Sequence, residues 1–434
     1  MRRPTLAAAL FTALLSPLLT LAGGCGAGPE ATGPLTLTVA GSGEWLTRWA
    51  VPEFERANPG IKVGVRPAPA DQAALGAELQ AGRGADIIEL DGRWLGDLAR
   101  AGRLKPLAET AGPGADGWTG WAQIPQAVQG LAVFEGRRYG IPRTVDARLL
   151  FYNRALLRRV GLPDPWRPAS WAELLEAARK LKAAGVPYPL HLPTGETAAL
   201  DGLLPLLAGT GTELLADRRW AGASRAVKDV LGLYDQVYGE RLAERLDTPD
   251  LARSRFAAGK SAIHLDTDAL WHTVLDPARG TRPLPGREAA VGYALLPAQR
   301  PGGGLRGQDH VSLSTGTLRV LNPATRDRAA AWKLLTFLHS ASAVEAELAG
   351  RPRPTPRRDV NARVLAADPM LRFAAEQALP LTAFPPPVSL YPRVADALRE
   401  AVAAVVAGRS PGHAAESYQR TLETLVGGPA NVAG

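Results

Sequence analysis

An α/β fold resting on mainly parallel sheets is predicted by three observations. Strand-like and helix-like stretches alternate along the chain, some of the strand-like runs are apolar enough to be central, and no repeat of short period competes with that pattern. The 434 residues allow two or three domains, each large enough to bury its own core.

In chain order, Arg2 and Arg3 precede an apolar stretch centred on Leu6 to Leu21 that finishes in small residues, the layout of an export signal. Pro17 and Gly23-Gly24 make it marginal as a membrane span, which needs about 20 mostly apolar residues. The only cysteine, Cys25, follows Leu21-Ala22-Gly23-Gly24, a run that resembles the bacterial lipoprotein signal. That resemblance implies removal of residues 1–24 and lipidation of Cys25. Residues 25–34, rich in Gly, Pro, Ala and Thr, read as a tether. Leu35 to Val39 alternates with period two and reads as a strand ending at the small residues 40–43. Leu46, Trp49, Ala50, Phe54 and Ala57 then share one helical face, which Pro52 subdivides and Asn58-Pro59-Gly60 ends. Strands are expected at Ile61–Val65 and Ala85–Leu90. Trp171–Ala184 is an amphipathic helix with Ser170 as N-cap, Glu173 three residues on and Gly185 as its stop. Ala329–Leu338 and Val394–Ala407 also read as helices, and the proline-rich stretches 351–356 and 384–392 as ordered connections.

The formal charge is +8, yet only seven of the 50 basic residues are lysine, and the arginines are scattered among acidic neighbours. A nucleic-acid surface is therefore not expected. One cysteine excludes an intramolecular disulfide framework. The parts of an enzyme are missing. Gly41-Ser42-Gly43 has Leu46 where a dinucleotide fingerprint needs glycine, and Gly259-Lys260-Ser261 has Ser254 where a phosphate loop needs one. The six histidines form no metal motif, and no Gly-x-Ser-x-Gly elbow occurs. Glu89 with Asp91, and Asp266 with Asp268, share strand faces, but such carboxylate pairs arise by chance in any large protein. Neither a metal nor a cofactor is expected.

Several passages, in order, resemble the extracellular solute-binding proteins of ABC importers, in particular the large sugar-binding family that includes maltose- and trehalose-binding proteins. They are VPEFERANPGIKV (51–63), GADIIELDGRWLGDLARAGRLKPL (84–107), RRYGIPRTVDARLLFYNRALLRRVGL (137–162), SWAELLEAARKL (170–181), RFAAGKSAIHLDTDALW (255–271), VGYALLPAQRPGGG (291–304) and RDRAAAWKLLTFLHS (326–340). The resemblance implies a two-lobed fold with hinge-connected lobes and a ligand cleft between them. Crossings are expected near Thr144 to Asp146, Leu295 to Pro297 and Ser340. That puts lobe one at 31–145 with 295–340, and lobe two at 146–294 with 341–434. It implies a non-enzyme: a monomeric receptor outside the cytoplasm, lipid-anchored, that hands a mono- to oligosaccharide to an ABC permease.

A sugar needs carboxylates, amides and arginines for its rim and aromatic plates for its faces. The resemblance points to Glu44 and Trp45 after the first strand, Asp91 after the third, Arg143 and Asp146 in the first crossing, and Arg357 after Pro354-Thr355-Pro356. Trp271 is the leading stacking candidate, although the family's tryptophan usually comes about two residues earlier. Asp309 and His310 end the loop 302–310, where many relatives carry a tryptophan that this chain lacks. Arg143, Arg148, Arg306 and Arg357 keep open a same-fold receptor for an anionic solute such as glycerol phosphate. An exported carbohydrate-active enzyme and a sensory lipoprotein without a transporter are the remaining rivals.

Overall fold

The computed structural model describes residues 35–195, 202–245, 248–348 and 350–433, so the expected signal, Cys25 and tether lie outside it. Two sheets organise the chain. The strands that build them are, in order, β1 (Leu35–Ala40), β2 (Ile61–Arg66), β3 (Ile87–Asp91), β4 (Gly140–Val145), β5 (Arg148–Asn153), β6 (Tyr188–His191), β7 (Ser261–Thr267), β8 (Val291–Ala294), β9 (Leu296–Pro297), β10 (His310–Leu313), β11 (Gly316–Leu321) and β12 (Thr382–Ala383). The first sheet has the order β2-β1-β3-β11-β4 and the second β8-β5-β7-β6, while β9-β10-β12 form a small third sheet.

The expectation of mainly parallel sheets is corrected. β1 runs parallel to β2 and β3, and β7 to β6, but β11 is antiparallel to both of its neighbours and β5 to both of its own. The two antiparallel strands are the ones that follow the crossings, β5 after Asp146-Ala147 and β11 after Ser314-Thr315.

The chain passes between the sheets twice through short segments. Asp146-Ala147 joins β4 to β5, and Ser314-Thr315 joins β10 to β11. The two segments lie side by side. The Asp146 amide donates to the Thr315 carbonyl (3.3 Å), and Asp146 Oδ1 accepts from the Thr315 amide (2.5 Å). Asp268 clamps the first from below, accepting from the Ala147 amide (2.7 Å). The crossing expected near Leu295 to Pro297 falls instead on β9: Leu296, Leu305, Val311 and Leu313 sit in the core of the second sheet, and the chain enters the first only at Gly316. A β-carbon on Gly316 would stand 2.0 Å from the Thr144 carbonyl oxygen, so only glycine fits that entry.

Strand alternation distributes the core. Leu37, Val39, Ile87 and Ile141 face one side of the first sheet and pack with Phe54 and Leu334, whereas Ile88, Leu90, Leu318 and Val320 face the other. On β5, Leu149 and Phe151 join the first of these clusters, while Leu150 and Tyr152 join a separate one with Trp171, Leu190, Ile263, Leu398 and Tyr418. The cluster beneath the first sheet therefore runs on into the second sheet and takes in Trp271, Met370 and Leu371.

The helical signals read as expected. Leu46–Ala50 winds as a wide π turn and α1 (Val51–Ala57) continues it, with Pro52 just past the junction between the two. In α2 (Trp171–Ala183) Ser170 Oγ accepts from the Glu173 amide, and Glu173 reaches back to the Ala169 amide (2.9 Å). α3 (Arg225–Gly239) packs on the second sheet's body together with two C-terminal helices, Tyr391–Val406 and Pro411–Val426. Among the described residues no helix is long and apolar enough to cross a membrane.

Candidate functional site

A cavity of about 280 Å³ opens where the bodies of the two sheets meet. The first contributes Asp91, Gly92 and Arg93 at the carboxyl end of β3 with the segment 127–133. The second contributes Leu204, Glu213, Leu215, Leu305 and Arg306, and the crossing contributes Thr315-Gly316. Phe384 and Pro385–Pro387 close one wall. Carboxyl ends of strands at a junction between bodies are where α/β proteins hold ligands, and the volume lies at the small end of ordinary pockets.

Asp91 forms a two-point pair with Arg93: Nε donates to Oδ1 (2.9 Å) and Nη2 to Oδ2 (2.6 Å). Oδ1 also caps the turn at Gly92–Trp94, accepting from the Arg93 amide (2.9 Å). The pair is fixed and self-neutralised, and Oδ2, which accepts only once within it, keeps a lone pair for a hydroxyl. Across the cavity, Arg306 sits in the left-handed region (φ 59°) and donates to the carbonyls of Leu381 and Thr382 (3.3 Å each). A non-glycine residue held there costs of order 1 kcal/mol or more, and such strain gathers at functional sites.

Beside this cavity, buried charge fills the end of the first sheet. Glu89 accepts from Ser42 Oγ (2.8 Å) and Arg143 Nη1 (2.6 Å). Arg143 Nη2 lies 2.8 Å from Glu347 on the helix Ala341–Leu348. Arg319 Nη2 stands 3.6 Å from Glu89 and 3.8 Å from Glu347, and Arg353 reaches Glu347 at 3.2 Å. Burial, with Arg143 alongside, pushes the Arg319 guanidinium down to about 10. The pairing of β11 with β4 slips between Thr317 and Leu318, and this bulge passes over Arg143, re-aiming it into the cluster.

Of the nine residues named from the sequence, Asp91 alone lines the cavity. Asp146 is held in the crossing by Thr315, which lines the cavity and whose hydroxyl donates to it (2.9 Å), and burial raises its carboxyl above the usual range against the pull of Arg148. Trp45 lies under Arg319, with the guanidinium 5.4 Å from its ring, and Glu44 is exposed and paired with Arg48. Arg143 is consumed by Glu89 and Glu347. Arg357 is consumed by Asp359 (2.6 Å) and the His339 carbonyl (2.9 Å). Trp271 is corrected from stacking plate to core: it is 2% exposed, its Nε1 donates to Asp368 (2.9 Å) and the Arg287 guanidinium covers its ring at 4.2 Å. Asp309 closes its own loop by accepting from the Gly302 amide (2.7 Å), and His310 meets the Pro168 carbonyl (3.2 Å) on the far face of β10. Arg306, named from the sequence only for an anionic solute, is cavity wall, and sequence reasoning missed Phe384; the proline run 385–387 beside an aromatic was the available signal.

Asp266 and Asp268, one of the carboxylate pairs considered for catalysis, are held by structural contacts. Asp266 takes a two-point contact from Arg253 (2.7 Å each) and meets His264 Nε2 (3.2 Å). Burial alone would raise its pKa, but those hydrogen bonds hold it below the usual carboxylate range. His264, stacked on His191 at 4.5 Å, is lowered to about 4 by burial and by that neighbour. The unfolded chain then binds a proton at higher pH than the folded one, so this histidine's contribution to stability is whole above about pH 6.5 and lost as pH falls toward about 4. A loss on the order of 3 kcal/mol is expected. Urea midpoints measured across that window check it, and a His264→Gln variant with the same slope would exclude His264 as the cause.

The bacterial extracellular solute-binding protein family matches residues 38–345. A binding protein of Brucella abortus (strain 2308) is 27% identical over 296 residues, covering 66% of this chain and 66% of its own length, so the chain spans just under two thirds of that relative. The sn-glycerol-3-phosphate-binding periplasmic protein of the same strain is 28% identical over 88 residues, 20% of each chain. Among solved structures, the sugar-binding protein MalE from the phytopathogen Xanthomonas citri superposes with a TM-score of 0.75 over 90% of this chain and 97% of its own, at 23% identity. Two sheet-centred bodies joined by paired crossings, and a family match over most of the chain, place this protein in the bacterial extracellular solute-binding protein family.

Proposed function

We propose that the chain captures a small neutral sugar in the 280 Å³ cavity and presents it, as a monomer, to the permease of an ABC importer. The observation that carries the reading is the composition of the cavity: walls from both bodies, a neutralised Asp91–Arg93 pair for hydroxyls and the Phe384 ring for a sugar face. In this reading the lobes are the bodies built on the two sheets, hinged at 145–147 and 314–315. Contacts to both lobes at once favour the closed arrangement. Export through residues 1–24 and an anchor at Cys25 belong to the same proposal.

The anionic-solute reading loses its arginines. Arg143 and Arg357 are spent on carboxylates, and Arg148 is turned to the Leu313 carbonyl (3.0 Å). Only Arg306 remains on the cavity wall beside the self-paired Arg93.

The test is a melting-temperature screen of the protein after unfolding and refolding to strip bound solute. A neutral mono- or disaccharide at a hundredfold its Kd is expected to add about 2.7 kcal/mol, a shift of several degrees, and maltodextrins to add less because the cavity is small. Arg93→Gln should weaken that binding about tenfold. A shift with sugar phosphates alone would transfer the site to the anionic reading, and no shift with any solute would overturn both.

A further inference from the structure

β10 has a second side. His310 and Ser312 alternate with Val311 and Leu313 along it, so the face that carries His310 is opposite to the one that borders the cavity above. On that far face lies a larger hollow of about 680 Å³ between the second sheet and the helical segment 369–378. Its aromatic wall is Tyr293 and Phe373, whose rings stand 5.0 Å apart with a tilt of 50°. Its rim carries Arg167, from the loop before α2, and Arg372, from the helix Pro369–Phe373. Neither guanidinium makes a hydrogen bond or ion pair with a described residue. The third arginine on the wall, Arg154, is neutralised by Asp164. Glu376 is the one carboxylate lining the hollow, which leaves the wall with a single net positive charge.

We infer that this hollow is a second binding site, for an aromatic carboxylate. The ring would lie in the slot that the tilted Tyr293–Phe373 pair leaves, since a third ring at about 4.5–7 Å completes such a cluster. The carboxylate would be taken by Arg167 and Arg372, whose planar forks match its two oxygens. One net positive charge suits a monoanion better than a phosphate dianion. The inference stands apart from the proposed sugar site, because the two hollows share no lining residue.

The experiment is isothermal titration of the refolded protein with benzoate, benzyl alcohol and cyclohexanecarboxylate. Benzoate is expected to bind saturably, and the two analogues, which lack the charge or the aromatic ring, at least about tenfold more weakly. R167Q/R372Q should lose benzoate binding by about tenfold or more while melting as the parent does, since both arginines are exposed. Y293L should weaken benzoate and not the charge dependence. Saturable binding that survives in R167Q/R372Q, or that disappears in R93Q instead, would place benzoate elsewhere and overturn the inference. So would the absence of saturable binding.

Discussion

Glu347→Ala is expected to lower stability by about 3–5 kcal/mol, among the largest losses any single substitution in this chain can produce. Glu347 is 7% exposed at its side chain and meets three guanidiniums, those of Arg143, Arg319 and Arg353. Its removal leaves Arg143 and Arg319 with Glu89 as their one carboxylate among the described residues, and takes from Arg353 the carboxylate it meets. Coulomb repulsion between buried arginines and the unpaid desolvation of each then act together. A guanidinium-chloride titration of the refolded protein reads the loss directly. Glu347→Gln, which keeps the shape, should recover little of it, because charge rather than volume holds the cluster. A loss below about 1 kcal/mol would mean that water solvates these groups as it does a surface pair.

Trp271→Ala is the second. A fully buried indole truncated to a methyl group costs about 3–5 kcal/mol through lost burial and the cavity left behind. Two further losses come with it: Asp368 is left without the indole N–H, and Arg287 without the ring beneath its guanidinium. The solute affinity of the folded fraction should not change, because the ring lies in the core and lines neither hollow. Denaturant unfolding and a titration on the same variant separate the two properties. Intact stability with lost solute binding would restore the ring as a stacking plate.

Backbone elements were legible because they depend on local pattern. The Ser170–Glu173 cap, the break at Asn58-Pro59-Gly60 and the alternation of Leu35 to Val39 each act over a few residues, and the structure has them where the pattern puts them. The site was less legible, because a side chain's availability depends on partners far away in sequence. Arg143 reads as a ligand residue until Glu347, about 200 residues on, is seen to hold it. Trp271 reads as a plate because it follows a strand, but the ring packs in the core with Arg287, sixteen residues on, over its face. The place of Asp91 on the cavity wall was legible because it follows from the strand end it occupies and from Arg93 two residues later, both local facts. The direction of β11 could not be read from its own residues, since an apolar strand looks the same whichever way it enters a sheet.

The position of β11 also decides the order in which the protein can be completed as it is made. Synthesis delivers the chain from its amino end, at about 5–20 residues per second. The first sheet is interrupted between β3 and β4, and the strand that fills the gap ends at Leu321. The second sheet has its last strand in hand at Ala294. The sheet that starts first is therefore completed second. Until residue 321 emerges, β3 and β4 each expose an open edge to which any extended segment can pair. A nascent chain halted between 294 and 316 would carry one finished sheet and one unfinished sheet, and its vulnerability to aggregation and proteolysis would sit at the amino-terminal end.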